Sequence, residues 1–395
     1  MDTFLNEANT IKDELIEIRR NIHKHPELGF QEERTSTLIK KFLYKEGIKF
    51  RSVAKTGVCA EIKGELEGGP QRVIALRADI DALPIQDKKK VPYASQVEGK
   101  MHACGHDAHT TILLGVAKIL NNYKEQFSGT VKFLFEPAEE TIGGAPYMIE
   151  ERVLENPKVD MVVGLHVSEN IETGKIRVKK EWVNASSNPF VVRIIGSGGH
   201  GASPQTTIDP IVAASFFITE LQTIVSREIP PVRPVVISIG SIHGGSAQNV
   251  IPDEVEIKGI IRTISEEDRK YVLRRLQDII NNVCKSFRTK ADIKIEEGYP
   301  SLFNNADVVD RVKGAAINLL GKENVLEQIN PSMGVESFAY FAEERPSAFY
   351  YLGTGNSAKN TTKPAHSSLF DIDEDAICIG VSLQCSICYE YLTSS

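Results

Sequence analysis

Val73-Ile74-Ala75-Leu76-Arg77-Ala78-Asp79-Ile80-Asp81 reads as a buried strand that runs out into two acids. A short, almost continuous apolar run is what a strand covered on both faces requires. Upstream, residues 10–25 place Ile11, Leu15, Ile18 and Ile22 on one helical face. His23-Lys24-His25-Pro26-Glu27-Leu28-Gly29 then breaks that helix, with Pro26 and Gly29 as punctuation. A second helix is expected over 35–47. Downstream, a helix is expected over 110–120 and strands over 129–135 and 160–167, the last ending near His166. Apolar strands alternating with helices predict an α/β sheet.

The pattern changes after Trp182. Strands are expected over 189–195, 234–240, 254–263 and 291–297, with helices over 210–227 and 266–287. This β-α-β-β-α-β order is the ferredoxin-like split βαβ arrangement. The expectation is therefore an α+β domain at 184–298, inserted between two parts of one catalytic domain, 1–183 and 299–395. Helices from Ala306 and near Phe338, and a strand over 348–352, resume the first pattern. No internal repeat or low-complexity linker interrupts it.

A chain of 395 residues with 41% hydrophobic residues is long enough for two domains with buried cores. The net charge of −7, with no basic stripe, argues against nucleic acid as a partner. Met1-Asp2-Thr3-Phe4 shows no basic-then-apolar leader, and no apolar stretch reaches the length of a membrane span. A cytoplasmic enzyme with no membrane partner is the expectation. The six cysteines are too scattered for a disulfide framework. Cys385 and Cys388 form a C-x-x-C, but they fall in an apolar pattern that reads as a packed C-terminal helix.

Four groups of metal-competent residues stand out: Cys104 with His106, Glu139 with Glu140, His166, and His366. Open α/β sheets place their sites at the carboxyl ends of strands, where several of these residues fall. Adjacent acids after a buried strand repel each other unless a cation or proton balances them. On chemistry alone, a solvated loop carrying two surface acids stays open as the other reading.

The motifs in order resemble the M20 metallopeptidase and amidohydrolase family, in its Cys-Gly-His-Asp branch. That branch includes aminoacylases, hippurate hydrolases, indoleacetyl-amino-acid hydrolases and N-acetyldiaminopimelate deacetylases. The resemblance begins at His23-Lys24-His25-Pro26-Glu27-Leu28 and Leu76-Arg77-Ala78-Asp79-Ile80-Asp81-Ala82-Leu83-Pro84. It continues through Met101-His102-Ala103-Cys104-Gly105-His106-Asp107-Ala108-His109, Glu136-Pro137-Ala138-Glu139-Glu140 and Gly164-Leu165-His166. Gly199-His200-Gly201-Ala202-Ser203-Pro204, Asn249-Val250-Ile251-Pro252 and Pro364-Ala365-His366-Ser367 complete it.

The resemblance implies a zinc-exopeptidase-like α/β/α catalytic domain with an inserted ferredoxin-like lid or dimerisation domain. It implies two divalent metal ions, zinc, manganese, cobalt or nickel, held by Cys104, His106, Glu140, His166 and His366. Cys104 would bridge them, with Glu140 and His366 on one ion and His106 and His166 on the other. Glu139 matches the general base, and Asp81 would orient His106. His200 matches a residue that steadies the oxyanion. Asn249 and Arg262 match residues that hold the substrate's polar groups and carboxylate. The substrate would be a small amide, and the protein a homo-oligomer, either dimer or tetramer.

His23 and His25 are expected to shape the first turn, and His102 and His109 to support the metal motif. Glu336 is a further candidate supporting residue. Many relatives carry His at Gln205 and Asp at Ser337, and both positions are expected near substrate-facing segments. Three other functions compete with amide hydrolysis of N-acyl amino acids. One is a dipeptidase or carboxypeptidase using the same two-metal chemistry. Another is a metal-free cysteine hydrolase using Cys104, with His106 or His166 as base. The third is a non-catalytic metal-binding scaffold.

Overall fold

The computed structural model describes residues 3–394. Met1 and Asp2, where a leader was sought, and Ser395 lie outside the described residues. The chain divides into two compact units, one of Met1–Glu181, Phe303–Asn330 and Ser337–Ser395, the other of Trp182–Leu302 and Pro331–Glu336.

The first unit is built on an eight-stranded sheet. Its strands run in the order Lys49–Val53, Gly57–Lys63, Thr130–Glu136, Val73–Asp79, Met161–Glu172, Ser347–Gly355, Ile176–Val178, Val325–Glu327. The four central strands are mutually parallel. Val73–Asp79 is buried at every residue, as its continuous apolar run requires. The chain leaves this strand for a neighbour on one side, Thr130–Glu136, then returns on its other side as Met161–Glu172. That reversal opens a crevice at the strands' carboxyl ends.

Helices cover both faces. On one face His106–Asn122 is buried almost all round, against Lys12–Lys24 and Asp375–Thr393. On the other, Phe338 and Phe341 of a short helix pack with Phe349, the Phe338 and Phe349 rings 5.1 Å apart. The helix Asp375–Thr393 is long and apolar enough to cross a membrane by composition, yet 72% of its most apolar window is buried inside the protein. Cys385 and Cys388 lie wholly in that core, as packing residues.

The second unit has a four-stranded antiparallel sheet in the order Val235–His243, Glu254–Thr263, Ser186–Ile195, Lys290–Ile295. In chain order this is 2-3-1-4, with the helices Pro210–Thr223 and Glu266–Phe287 as crossovers. Asp209 caps the first helix by accepting from the Ile211 and Val212 N–H groups, and Ser265 caps the second by accepting from Asp268. Phe190, Phe217, Ile257, Leu276 and Ile280 form its own core.

Two segments differ from expectation. The strand at His166 runs on to Glu172, so His166 sits inside it. Residues Pro331–Glu336 join the second unit, because the Ala185 N–H donates to the carbonyls of Ser332 and Gly334, each at 3.0 Å. Sequence periodicity does not reveal a pairing between segments so far apart in the chain.

Candidate metal centre

All the donor groups expected of a metal centre lie in the first unit. Gly105 starts the His106–Asn122 helix at φ +86°, a left-handed conformation that favours glycine. A Cβ there would meet Val167 Cγ2 at 2.2 Å, so the turn that sets Cys104 beside His106 requires glycine twice over. Glu139 and Glu140 follow the strand Thr130–Glu136 through Ala138, which holds φ +57° at a cost of about 1–2 kcal/mol. The buried Glu32 carboxylate accepts from the Ala138 N–H at 2.8 Å and holds that turn. His366 is also left-handed, at φ +62°, and its N–H donates to Ala103 O at 2.8 Å.

These turns gather the side chains into two triads that share Cys104. One is Cys104, His106 and His166, and the other is Cys104, Glu140 and His366; within each, the donor atoms lie within 4.8 Å of one another. Cys104 Sγ is 3.4 Å from His166 Nε2, and His366 Nε2 is 3.3 Å from Glu140 Oε1. Glu139 and Glu140 lie in a third such cluster with His106.

Hydrogen bonds fix two of the imidazoles with a bare nitrogen facing inward. His106 Nδ1 donates to Asp81 Oδ1 at 3.0 Å, and His166 Nδ1 donates to Val167 O at 2.7 Å. Each ring thus keeps its Nε2 lone pair for a ligand. The second oxygen of Asp81 accepts from the Glu140 N–H at 2.9 Å, tying two metal-competent segments together. His106 Nε2 is buried with no hydrogen bond to any described residue, and Glu140 Oε1 has only ion-pair contacts, the closer with His366 Nε2. Buried polar atoms are almost always satisfied, so these two atoms fit a cation between them. A donor set of one sulfur, three imidazoles and a carboxylate suits zinc, cobalt, nickel or manganese.

In the metal-free pocket burial opposes charge on His106, but the nearby Asp79 carboxylate and the bond to Asp81 outweigh it and raise its pKa, so a cation bound at Nε2 takes the place of a proton there. Burial, reinforced by Glu140, pushes the Cys104 thiol well up. That setting disfavours the free thiolate a cysteine nucleophile needs, whereas bound cations would stabilise one.

The structure also shows two supporting residues that the sequence reading missed, Asp79 and Asp107, and what the expected His109 does. Asp79 Oδ1 accepts from His109 Nδ1 at 2.6 Å, and His109 Nε2 accepts from the Val167 N–H at 2.9 Å. Burial holds His109 down to about 4, so the ring is neutral and braces the strand that carries His166. Asp107 binds Arg19 and His23, each at 2.7 Å, in a fully buried cluster. His23 is therefore an internal partner of the metal loop and not a residue that shapes the first turn. His25 does close that turn, through Asn21 O at 2.8 Å. His102 is fully buried with neither ring nitrogen bonded to a described residue, and burial lowers it to about 3. The spacing of Asp79 and Asp81, two apart at a strand end, was the available signal for the Asp79 contact.

Ser337 is wholly buried, and its N–H donates to Glu139 Oε1 at 3.1 Å, so it lies directly beside the expected base. Gln205 is exposed. His200, Asn249, Arg262 and Glu336 belong to the second unit. His200 and Asn249 lie on two short segments that pair antiparallel, where the Gly201 N–H donates to Asn249 O at 2.7 Å. Arg262 lies on the central strand Glu254–Thr263, with Nη1 buried and unbonded to any described residue.

Comparison with known proteins gives this arrangement its relatives. The sequence model of peptidase family M20/M25/M40 matches residues 75–390. N-acetyl-L-cysteine deacetylase of Bacillus subtilis strain 168 is 42% identical over 370 residues, which cover 93% of this chain and 86% of the relative. Thermostable carboxypeptidase 1 of Saccharolobus solfataricus is 36% identical over 379 residues, 95% of this chain and 94% of the relative. A solved dinuclear metal-binding peptidase of the M20 family from Bacillus subtilis superposes with a TM-score of 0.84 at 35% identity, covering 98% of this chain and 100% of that one.

The Gly105 turn makes a direct prediction. Gly105→Ala should keep its far-UV circular dichroism but retain metal at least roughly tenfold more weakly, in the range typical of lost supporting contacts. Metal content after dialysis measures this, and full retention would show that the turn tolerates a side chain.

Proposed function

The chain belongs to peptidase family M20/M25/M40 and is a metal-dependent hydrolase of C–N bonds, and from that premise we propose that it cleaves the amide of small N-acyl amino acids with water. The observation that carries the reading is the pair of donor triads sharing Cys104, with Glu139 beside them. In this reading Cys104, His106, His166, Glu140 and His366 would hold two divalent ions, with Cys104 common to both triads. When bound, such ions polarise the scissile carbonyl and lower the pKa of water.

The protein's own residues then do the rest. Glu139 takes the proton from the attacking water and returns it to the departing amine nitrogen. Its carboxylate is aimed by the Ser337 N–H. Asp81 keeps His106 in the tautomer that offers Nε2. His200 serves as an oxyanion donor; its Nδ1 accepts from the Ala202 N–H at 3.0 Å, which leaves the proton on Nε2. Arg262 and Asn249 hold the substrate's carboxylate and polar groups. The buried, unbonded Nη1 of Arg262 supports an anionic guest, since an unpaired buried donor is costly.

A homodimer formed through the second unit accompanies this proposal, with a tetramer as the larger assembly. Val235–His243 is an edge strand, and Val236 and Ile242 on it are exposed, as are Ile211 and Phe216 on the Pro210–Thr223 helix. Uncovered edges of that kind invite pairing. A monomer mass by light scattering would remove the dimer from the account. Six cysteines free of disulfides fit a reducing cytoplasmic setting.

Glu139→Gln should keep its metal and its fold and lose roughly 10²–10⁴-fold in kcat. Wild-type turnover in that variant would refute the base assignment. In paired assays, N-acetyl amino acids should be cleaved faster than dipeptides. A dipeptide rate far above every acyl-amino-acid rate would make the protein a peptidase with the same chemistry, as the carboxypeptidase relative suggests.

A further inference from the structure

Beneath Glu139 lies a buried polar network. Arg77 donates through Nε to Glu136 Oε2 at 2.6 Å, through Nη1 to Asp79 Oδ2 at 2.8 Å, and through Nη2 to Ser337 Oγ at 2.9 Å. Ser337 Oγ in turn donates to Glu136 Oε1 at 2.6 Å. Glu136 Oε1 also accepts from the Ala145 N–H at 2.7 Å. Arg77, Asp79, Glu136 and Ser337 are all at most 1% exposed. The Ser337 hydroxyl thus both accepts and donates, and its own N–H points at Glu139 Oε1.

We propose that Ser337 is a positioning residue for hydrolysis: its hydroxyl, clamped between Arg77 and Glu136, sets the main-chain N–H that aims the Glu139 carboxylate. This rests on the reading of Glu139 as general base. Three structural facts make the clamp specific. Arg77 comes from a central strand whose every residue is buried, so it moves little. Glu136 pairs in register with Asp79 across two parallel strands, so its carboxylate is anchored by the sheet. Ser337 immediately precedes the helix Phe338–Glu344, whose Phe338 and Phe341 are buried.

The clamp has a defined polarity: Arg77 donates to the Ser337 hydroxyl from one side and Glu136 accepts from it on the other.

The experiment uses metal-loaded enzyme and measures kcat, KM and metal content together. Ser337→Ala should lower kcat about tenfold, the size of one lost hydrogen bond to charged groups, with KM and metal content unchanged. Ser337→Thr, which keeps the hydroxyl, should stay within about threefold of wild type. Wild-type kcat in Ser337→Ala, or equal losses in Ala and Thr, would overturn the proposal. An inactive Glu139→Gln beside a fully active Ser337→Ala would defeat the clamp while leaving the base assignment intact; an active Glu139→Gln would defeat the base itself.

Discussion

Asp81 accepts from His106 with one carboxylate oxygen and from the Glu140 main chain with the other. Those two bonds join the segment after Cys104 to the segment after the strand Thr130–Glu136. Much of the centre depends on that joint. It fixes which nitrogen of His106 is bare, and it sets where Glu140 starts. Asp79, two residues back on the same chain, does the matching service through His109 for the strand that holds His166. One fully buried strand end therefore braces three of the five expected metal donors.

Holding acids there is costly, and the protein balances the cost with buried cations. Arg77 faces Asp79 and Glu136, and Arg19 faces Asp107 and Asp371. Burial works against charge on Arg19, but those carboxylates more than offset it and hold its pKa up. Such pairs add little net stability, yet breaking one leaves an uncompensated buried charge, at roughly 3–5 kcal/mol. The consequence is rigidity: the residues around the donors have few alternatives, so the donors stay converged. His106 Nε2 remains buried and without a hydrogen bond among the described residues, and that local deficit is what a cation would satisfy.

Much of this was legible in the chain. The apolar run 73–78 announced the central strand, and the β-α-β-β-α-β order announced the second unit's topology. Cys104, His106, Glu139 and Glu140 stood in short motifs, where local spacing is informative. The Ser337 clamp was not legible because its partners Arg77 and Glu136 lie far away in sequence, and no periodicity records such a contact. His23 was misread for the same reason, its partner Asp107 being brought close only by the packing of two helices. Histidine in a helix-ending motif looks like punctuation until its neighbour is known. The strand through His166 ran past its apolar stretch because pairing with Ser347–Gly355 sustains it.

The most direct test of the account is anomalous diffraction from metal-loaded crystals. Two peaks are predicted about 3.5–4 Å apart, the spacing usual for binuclear hydrolytic centres, both within bonding reach of Cys104 Sγ. His106 and His166 should ligate one and Glu140 and His366 the other. A single peak, or two peaks with Cys104 bound to neither, would contradict the central claim that this cysteine bridges a two-metal site.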